Sequence, residues 1–221
     1  EIRIGDWSSD VCSSDLIVTI NRYSGEGWDR ACNIPGKELH MENVEVDVWG
    51  GEDAFRAMSK EIFPKGDFYL TAEEEALVAQ AEKNFSNIIV LLNVGGVVDT
   101  SWFAGNPKIS SVLFIGQGGM EGAVAATEIV LGEKCPSGKL TDTFAKRLED
   151  YPSTDTFHDK ADSVEYQEDI FVGYRYFETI PGKADCVVYP FGYGLSYTNF
   201  EIALAGQNDC ADLQTSPMRT I

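Results

Sequence analysis

The sequence predicts an α/β fold, a layered α/β sandwich on a mainly parallel sheet. Three observations predict it. Strand-like and helix-like patterns alternate from Thr71 onward, as they do where helices wind over a sheet. The run from Asn87 to Val94 is almost continuously apolar, which suits a parallel strand covered on both faces. With 221 residues, 43% of them hydrophobic, the chain is long and apolar enough for one sizeable packed core.

Charge narrows the partners. There are 36 Asp and Glu against 17 Lys and Arg, a net charge of −19. Phosphate backbones and anionic bilayer surfaces are gripped by basic faces, so neither nucleic acid nor a membrane surface is expected as a partner. The longest apolar run, Ile88 to Leu92, is strand-sized and far short of a membrane span. Cys12, Cys32, Cys135, Cys186 and Cys210 are scattered, and His40 and His158 are the only histidines. No zinc-type ligand spacing results, and neither a metal nor another cofactor is expected. An odd, scattered set reads as reduced thiols rather than a disulfide framework, which tilts the expected location toward the cytoplasm.

Taken in order, residues 1–16 look foreign to the fold. Ser8-Ser9-Asp10 recurs as Ser13-Ser14-Asp15 around Cys12, with the period of neither helix nor strand. The stretch resembles translated adapter sequence and is set apart from a domain expected over residues 17–206, so the native N-terminus is expected to be missing. Ile17 to Ile20 is β-branched and reads as a buried strand. It leads into Arg22-Tyr23-Ser24-Gly25-Glu26-Gly27-Trp28. A carboxylate between two glycines just past a strand end sits on a backbone free to bend sharply or to approach a ligand. Trp28 adds a flat apolar face on which a sugar ring can lie. From composition alone, a solvated glutamate in a polar turn is the simpler reading.

Residues 31–70 are polar and irregular, with a short helix expected over 52–62 from Phe55, Met58, Ser59 and Ile62. This excursion either walls a cleft or is a surface insertion. Thr71 then caps a helix, with Glu74 completing a capping box and Leu77, Val78, Ala81 and Phe85 as its apolar stripe. After the strand at 87–94 come a short helical piece near Asp99 to Ala104, a strand from Ser111 to Ile115, and a helix from Met120 to Leu131. In that last helix Met120, Ala123, Val124, Thr127, Val130 and Leu131 share a face. The turn Gly116-Gln117-Gly118-Gly119 lies where a dinucleotide fingerprint would lie. The acidic residue such a site wants, about twenty residues on, has only Asp142 to offer, in a stretch too polar to end a buried strand. The glycines are therefore read as allowing helix and strand to approach. Phe200, Ile202 and Leu204 alternate as a half-buried strand, and residues 207–221 form an irregular tail.

Four stretches carry a resemblance. Ser24-Gly25-Glu26-Gly27 after a strand, Pro136-Ser137-Gly138-Lys139-Leu140, Tyr166 to Phe177, and Pro190-Phe191-Gly192-Tyr193-Gly194 to Phe200 resemble, in that order, motifs of the second domain of the family-three glycoside hydrolases, the β-glucosidase and β-xylosidase group. The resemblance covers roughly residues 17–205, and the glycine-rich turn with Gln117 fits it, although the proline that often precedes that Gln is absent.

The resemblance implies a retaining glycosidase acting on terminal β-linked glucose (or xylose). Glu26 would be the general acid/base, and Ser24 and Trp28 would contact the β-linked oligosaccharide or glycoside. A free Glu titrates near pH 4.3, so burial against Trp28 or a nearby negative nucleophile must raise it. The nucleophilic Asp would lie on a TIM-barrel domain N-terminal to this one and missing here, so the chain alone is expected to be inactive. Two other classes stay open: a non-catalytic carbohydrate-binding or docking module using Trp28 and Trp49, and a nucleotide-binding domain.

Overall fold

The computed structural model describes residues 15–24, 60–157, 159–160 and 163–198. Its centre is a three-stranded parallel sheet in the order β1-β2-β3, with β1 at Asp15–Arg22, β2 at Asn87–Val94 and β3 at Ile109–Phe114. Val18 lies beside Val90 and Ile20 beside Leu92, and on the other side Val90 pairs with Val112 and Leu92 with Phe114. The expected α/β fold with a parallel sheet is thus the observed one.

Position in the sheet explains each strand's composition. β2 is central, and Ile88, Ile89, Val90, Leu92 and Val94 are all buried. Each such side chain contributes about 1.5–3 kcal/mol on burial. β1 differs from the buried strand the sequence suggests. Val18, Ile20 and Arg22 face inward while Ile17, Thr19 and Asn21 are exposed, so among the described residues β1 is covered on one face only. The strand also opens at Asp15, inside the stretch that reads as foreign. Asp15 Oδ1 accepts from Asn87 Nδ2 at 3.1 Å, and Leu16 packs on the core.

Helix α1 spans Ala72–Asn84. Its predicted capping box is present: Glu74 N donates to Thr71 Oγ1 and Thr71 N to Glu74 Oε2. Val78 and Ala81 turn to the core and Phe85 packs against it, while Leu77 is exposed. The expected helical piece after β2 is a single turn, closed by Ala104 N donating to the Thr100 carbonyl at 2.9 Å and opened by Asp99, whose carboxylate accepts from Ser101 N.

Helix α2 spans Gly122–Val130, and here the expected inner face is the outer one. Met120 is 95% exposed, Val124 and Leu131 are also exposed, and Ala126 is the buried residue. The helix sequence Gly-Ala-Val-Ala-Ala-Thr-Glu-Ile-Val is apolar nearly all round, so periodicity has no polar face from which to fix its rotation.

The later motifs form a second, smaller layer. β4 (Phe144–Ala145) pairs antiparallel with β5 (Val187–Tyr189), and Phe144 meets Phe114 edge-on at 5.8 Å, joining this layer to the main core. The Tyr151 hydroxyl donates to the Thr143 carbonyl and accepts from Ala145 N, fixing β4 from behind. The second and fourth sequence motifs lie together. Leu140 N donates to the Tyr193 carbonyl and Gly192 N to the Leu140 carbonyl, both at 2.8 Å. A side chain at Gly194 would strike the Gly138 carbonyl. In the third motif, helix α3 (Tyr174–Thr179) holds Arg175 over the Tyr174 ring, and Tyr174 stacks on Phe191. Residues 1–14, most of the expected 52–62 helix, and the strand expected from Phe200 lie outside the described residues.

Candidate active site

Parallel strands deliver three chain segments to one edge. The carboxyl ends of β1, β2 and β3 pass into Tyr23-Ser24, Gly95 and Gly116-Gln117, and open α/β sheets bind ligands at that edge. The three segments touch. Gln117 Nε2 donates to the Ser24 carbonyl at 2.8 Å. Gly95 lies between them. A Cβ there would stand 2.7 Å from Ser24 Oγ and 2.8 Å from Gln117 Nε2, so the missing side chain is the space the contact uses.

One residue upstream of Tyr23, Arg22 closes β1. It follows Val18 and Ile20 on the inward phase, so its guanidinium is buried, with only 4% of the residue exposed. Burying that charge requires partners, and all of its N–H groups find them. Nε donates to the Asp67 carbonyl and Nη1 to the Asn21 carbonyl, both at 2.7 Å. Nη2 donates to the Tyr69 carbonyl at 3.1 Å. The remaining donor of each Nη goes to a different oxygen of Glu74, at 2.7 Å in both cases. The Phe63 ring lies 4.9 Å from the guanidinium carbon. Burial by itself pushes the Glu74 carboxyl up. The bonds from Arg22 and from the Thr71 amide, with the guanidinium charge, outweigh it and hold Glu74 below the usual range.

The glycine-rich turn does what close approach requires. Gly116 and Gly119 have φ of 59° and 64°, and a Cβ on Gly118 would stand 2.7 Å from the Gly122 Cα at the start of α2. Asp142, the acidic residue weighed for a ribose, sits exposed before β4 and accepts from Thr141 Oγ1.

Of the candidate residues, Ser24 stands at this edge; Glu26, Trp28 and Trp49 lie outside the described residues. Among the described residues no group of three His, Cys, Asp or Glu side chains is arranged to hold a metal, and no helix is long and apolar enough to cross a membrane. Sequence reasoning assigned Arg22 no role at the site, and Gln117 entered only as part of the glycine-rich turn that fits the resemblance. The signal for Arg22 was available, because it continues the inward 18-20-22 alternation. Gln117 gives no such signal, since its partner is distant in sequence.

A sequence profile described as the Glycosyl hydrolase family 3 C-terminal domain matches residues 8–197. The chain belongs to this family. Relatives of the glycosyl hydrolase family 3 domain include Beta-glucosidase A of Butyrivibrio fibrisolvens, 55% identical over 184 residues, which are 83% of this chain and 21% of that protein. Among solved structures, a beta-glucosidase from Paenibacillus barengoltzii aligns with a TM-score of 0.64 at 36% identity, over 88% of this chain and 18% of its own. Beta-glucosidase 3B from Thermotoga neapolitana, solved in complex with glucose, aligns with a TM-score of 0.62 at 31% identity, over 85% of this chain and 22% of its own. The chain therefore spans about a fifth of the length of each of these longer proteins.

Proposed function

We propose that this domain works within a retaining β-glucosidase-like hydrolase and supplies its general acid/base, Glu26, for cleavage of terminal β-linked glucose (or xylose). The nucleophilic Asp belongs to a TIM-barrel domain outside this chain. One observation carries the reading. The strand leading into Ser24-Gly25-Glu26-Gly27 ends at the carboxyl edge of a parallel sheet, where Ser24 is tied to Gln117 over a glycine gap, in a chain of a glycosidase family. In sequence, Glu26 follows that anchor by two residues.

The chemistry needs two carboxylates. As the Asp attacks the anomeric carbon, the Glu26 carboxylic acid gives its proton to the departing glycosidic oxygen. The resulting carboxylate then takes a proton from water, whose oxygen displaces the Asp and frees the sugar. Ser24 and Trp28 contact the glycoside beside Glu26, Trp28 offering its ring face. No metal or organic cofactor enters these steps. The 221-residue chain alone lacks the nucleophile and does not turn over substrate.

The test compares Glu26→Ala with the parent in the full-length enzyme. Loss is expected to be large on an alkyl glucoside, at ~10²-fold or more, and smaller on a dinitrophenyl glucoside, whose leaving group needs no proton; azide should restore part of the second. Equal losses on both substrates would remove the acid/base role. Binding of cellobiose by the isolated chain, with Glu26→Ala harmless in the full-length enzyme, would install the carbohydrate-binding module instead.

A further inference from the structure

We infer that Gln117 is a positioning residue for the acid/base loop, acting through the Ser24 carbonyl; the inference rests on the Glu26 reading. A carbonyl shares its rigid peptide plane with the next amide. Holding the Ser24 oxygen therefore orients the plane that leads into Gly25. Gly25 is conformationally permissive and restrains nothing by itself. Only the soft torsions of Gly25 and Glu26 then separate the held plane from the carboxylate.

The tie is built from all three strand ends. Gln117 stands at the end of β3, placed by the positive φ of Gly116 and by the contact of Gly118 with Gly122. Its side chain reaches across the end of the central strand to β1, through the volume a side chain on Gly95 would occupy. Arg22 holds the same loop from the other side by its bonds to Asp67, Tyr69 and Glu74. The stretch from Arg22 to Ser24 is thus fixed at both ends, and the acid/base residue follows two positions later.

Three variants of the full-length glycosidase that carries this chain test the role. Gln117→Ala removes the donor. Gln117→Glu keeps the size and presents a carboxylate that cannot donate at neutral pH. Gly95→Ala leaves residue 117 intact and pushes its amide aside. Each is expected to lower kcat by roughly tenfold on an alkyl β-glucoside and by less than about twofold on a dinitrophenyl β-glucoside, with KM little changed, because the proton donor is displaced by a fraction of an ångström. Equal losses on both substrates, or no loss on either, would overturn the inference. Glu26→Ala measured in parallel separates the two readings. If Glu26→Ala discriminates between the substrates and the Gln117 and Gly95 variants do not, the positioning role alone falls. If Glu26→Ala does not discriminate, the acid/base reading falls and takes the role of Gln117 with it.

Discussion

Arg22 and Glu74 meet as a bidentate pair, with both carboxylate oxygens 2.7 Å from guanidinium nitrogens, across 52 residues of sequence. Glu74 serves two structures at once. It completes the capping box of α1 by accepting from Thr71 N, and it neutralises the charge that ends β1. The start of the helix and the end of the strand that feeds the Ser24 loop are therefore one hydrogen-bonded unit. Such a pair is weak evidence for net stability, since desolvating two charges offsets much of their attraction; removing one partner is another matter.

We predict that Glu74→Ala destabilises this 221-residue chain by about 3 kcal/mol, because it strands a buried guanidinium and uncaps α1 together. Arg22→Met should cost a similar amount, by leaving the carboxylate and the Asp67 and Tyr69 carbonyls without their donor. The double variant should lose much less than the two single losses added together. Urea midpoints of the four proteins measure this, and strictly additive losses would show that the pair is not coupled.

The pair also sets an acid limit. Glu74 is held below its ordinary value of 4.5 in the fold, so between that value and the lower folded one the unfolded chain binds more protons. Its stabilising contribution is complete above about pH 4.5 and is lost as pH falls through the folded value. The carboxyl is partly exposed, so solvent screening reduces the effect. Unfolding curves at pH 7 and at descending pH below 4.5 should converge between wild type and Glu74→Gln; a constant gap at every pH would show that Glu74 does not titrate with folding.

What the sequence disclosed follows from range. The capping box of α1 was legible because Thr71 and Glu74 are three residues apart, and β2 because a central parallel strand must be apolar throughout. The rotation of α2 was not, because a helix apolar on all sides has no polar stripe to point outward. At the candidate site the resemblance pointed to Glu26 and its neighbours, whereas the contacts around Ser24 stayed hidden. Gln117 is 93 residues from its partner, and Arg22 reads locally as a polar residue opening a loop. The inward phase of Arg22 could be counted from Val18 and Ile20, but the partners that phase brings it to, at Asp67, Tyr69 and Glu74, are 45 to 52 residues away.

Tyr151 gives the second layer its own test. Its hydroxyl bridges Thr143 and Ala145, and burial pushes the phenol up to about 12. We predict that Tyr151→Phe costs about 1–3 kcal/mol, because a buried carbonyl and a buried amide each lose their partner while the ring's packing on Phe68 and Phe177 is kept. The sign of the pH effect is opposite to that of Glu74. A phenol raised from 10.0 to about 12 contributes stability that is whole below pH 10 and disappears as pH rises toward 12, because the unfolded chain releases its proton first. Urea midpoints should therefore fall more steeply for wild type than for Tyr151→Phe between pH 9 and pH 11. Parallel curves over that interval would mean that burial does not hold this phenol above its ordinary value in the fold.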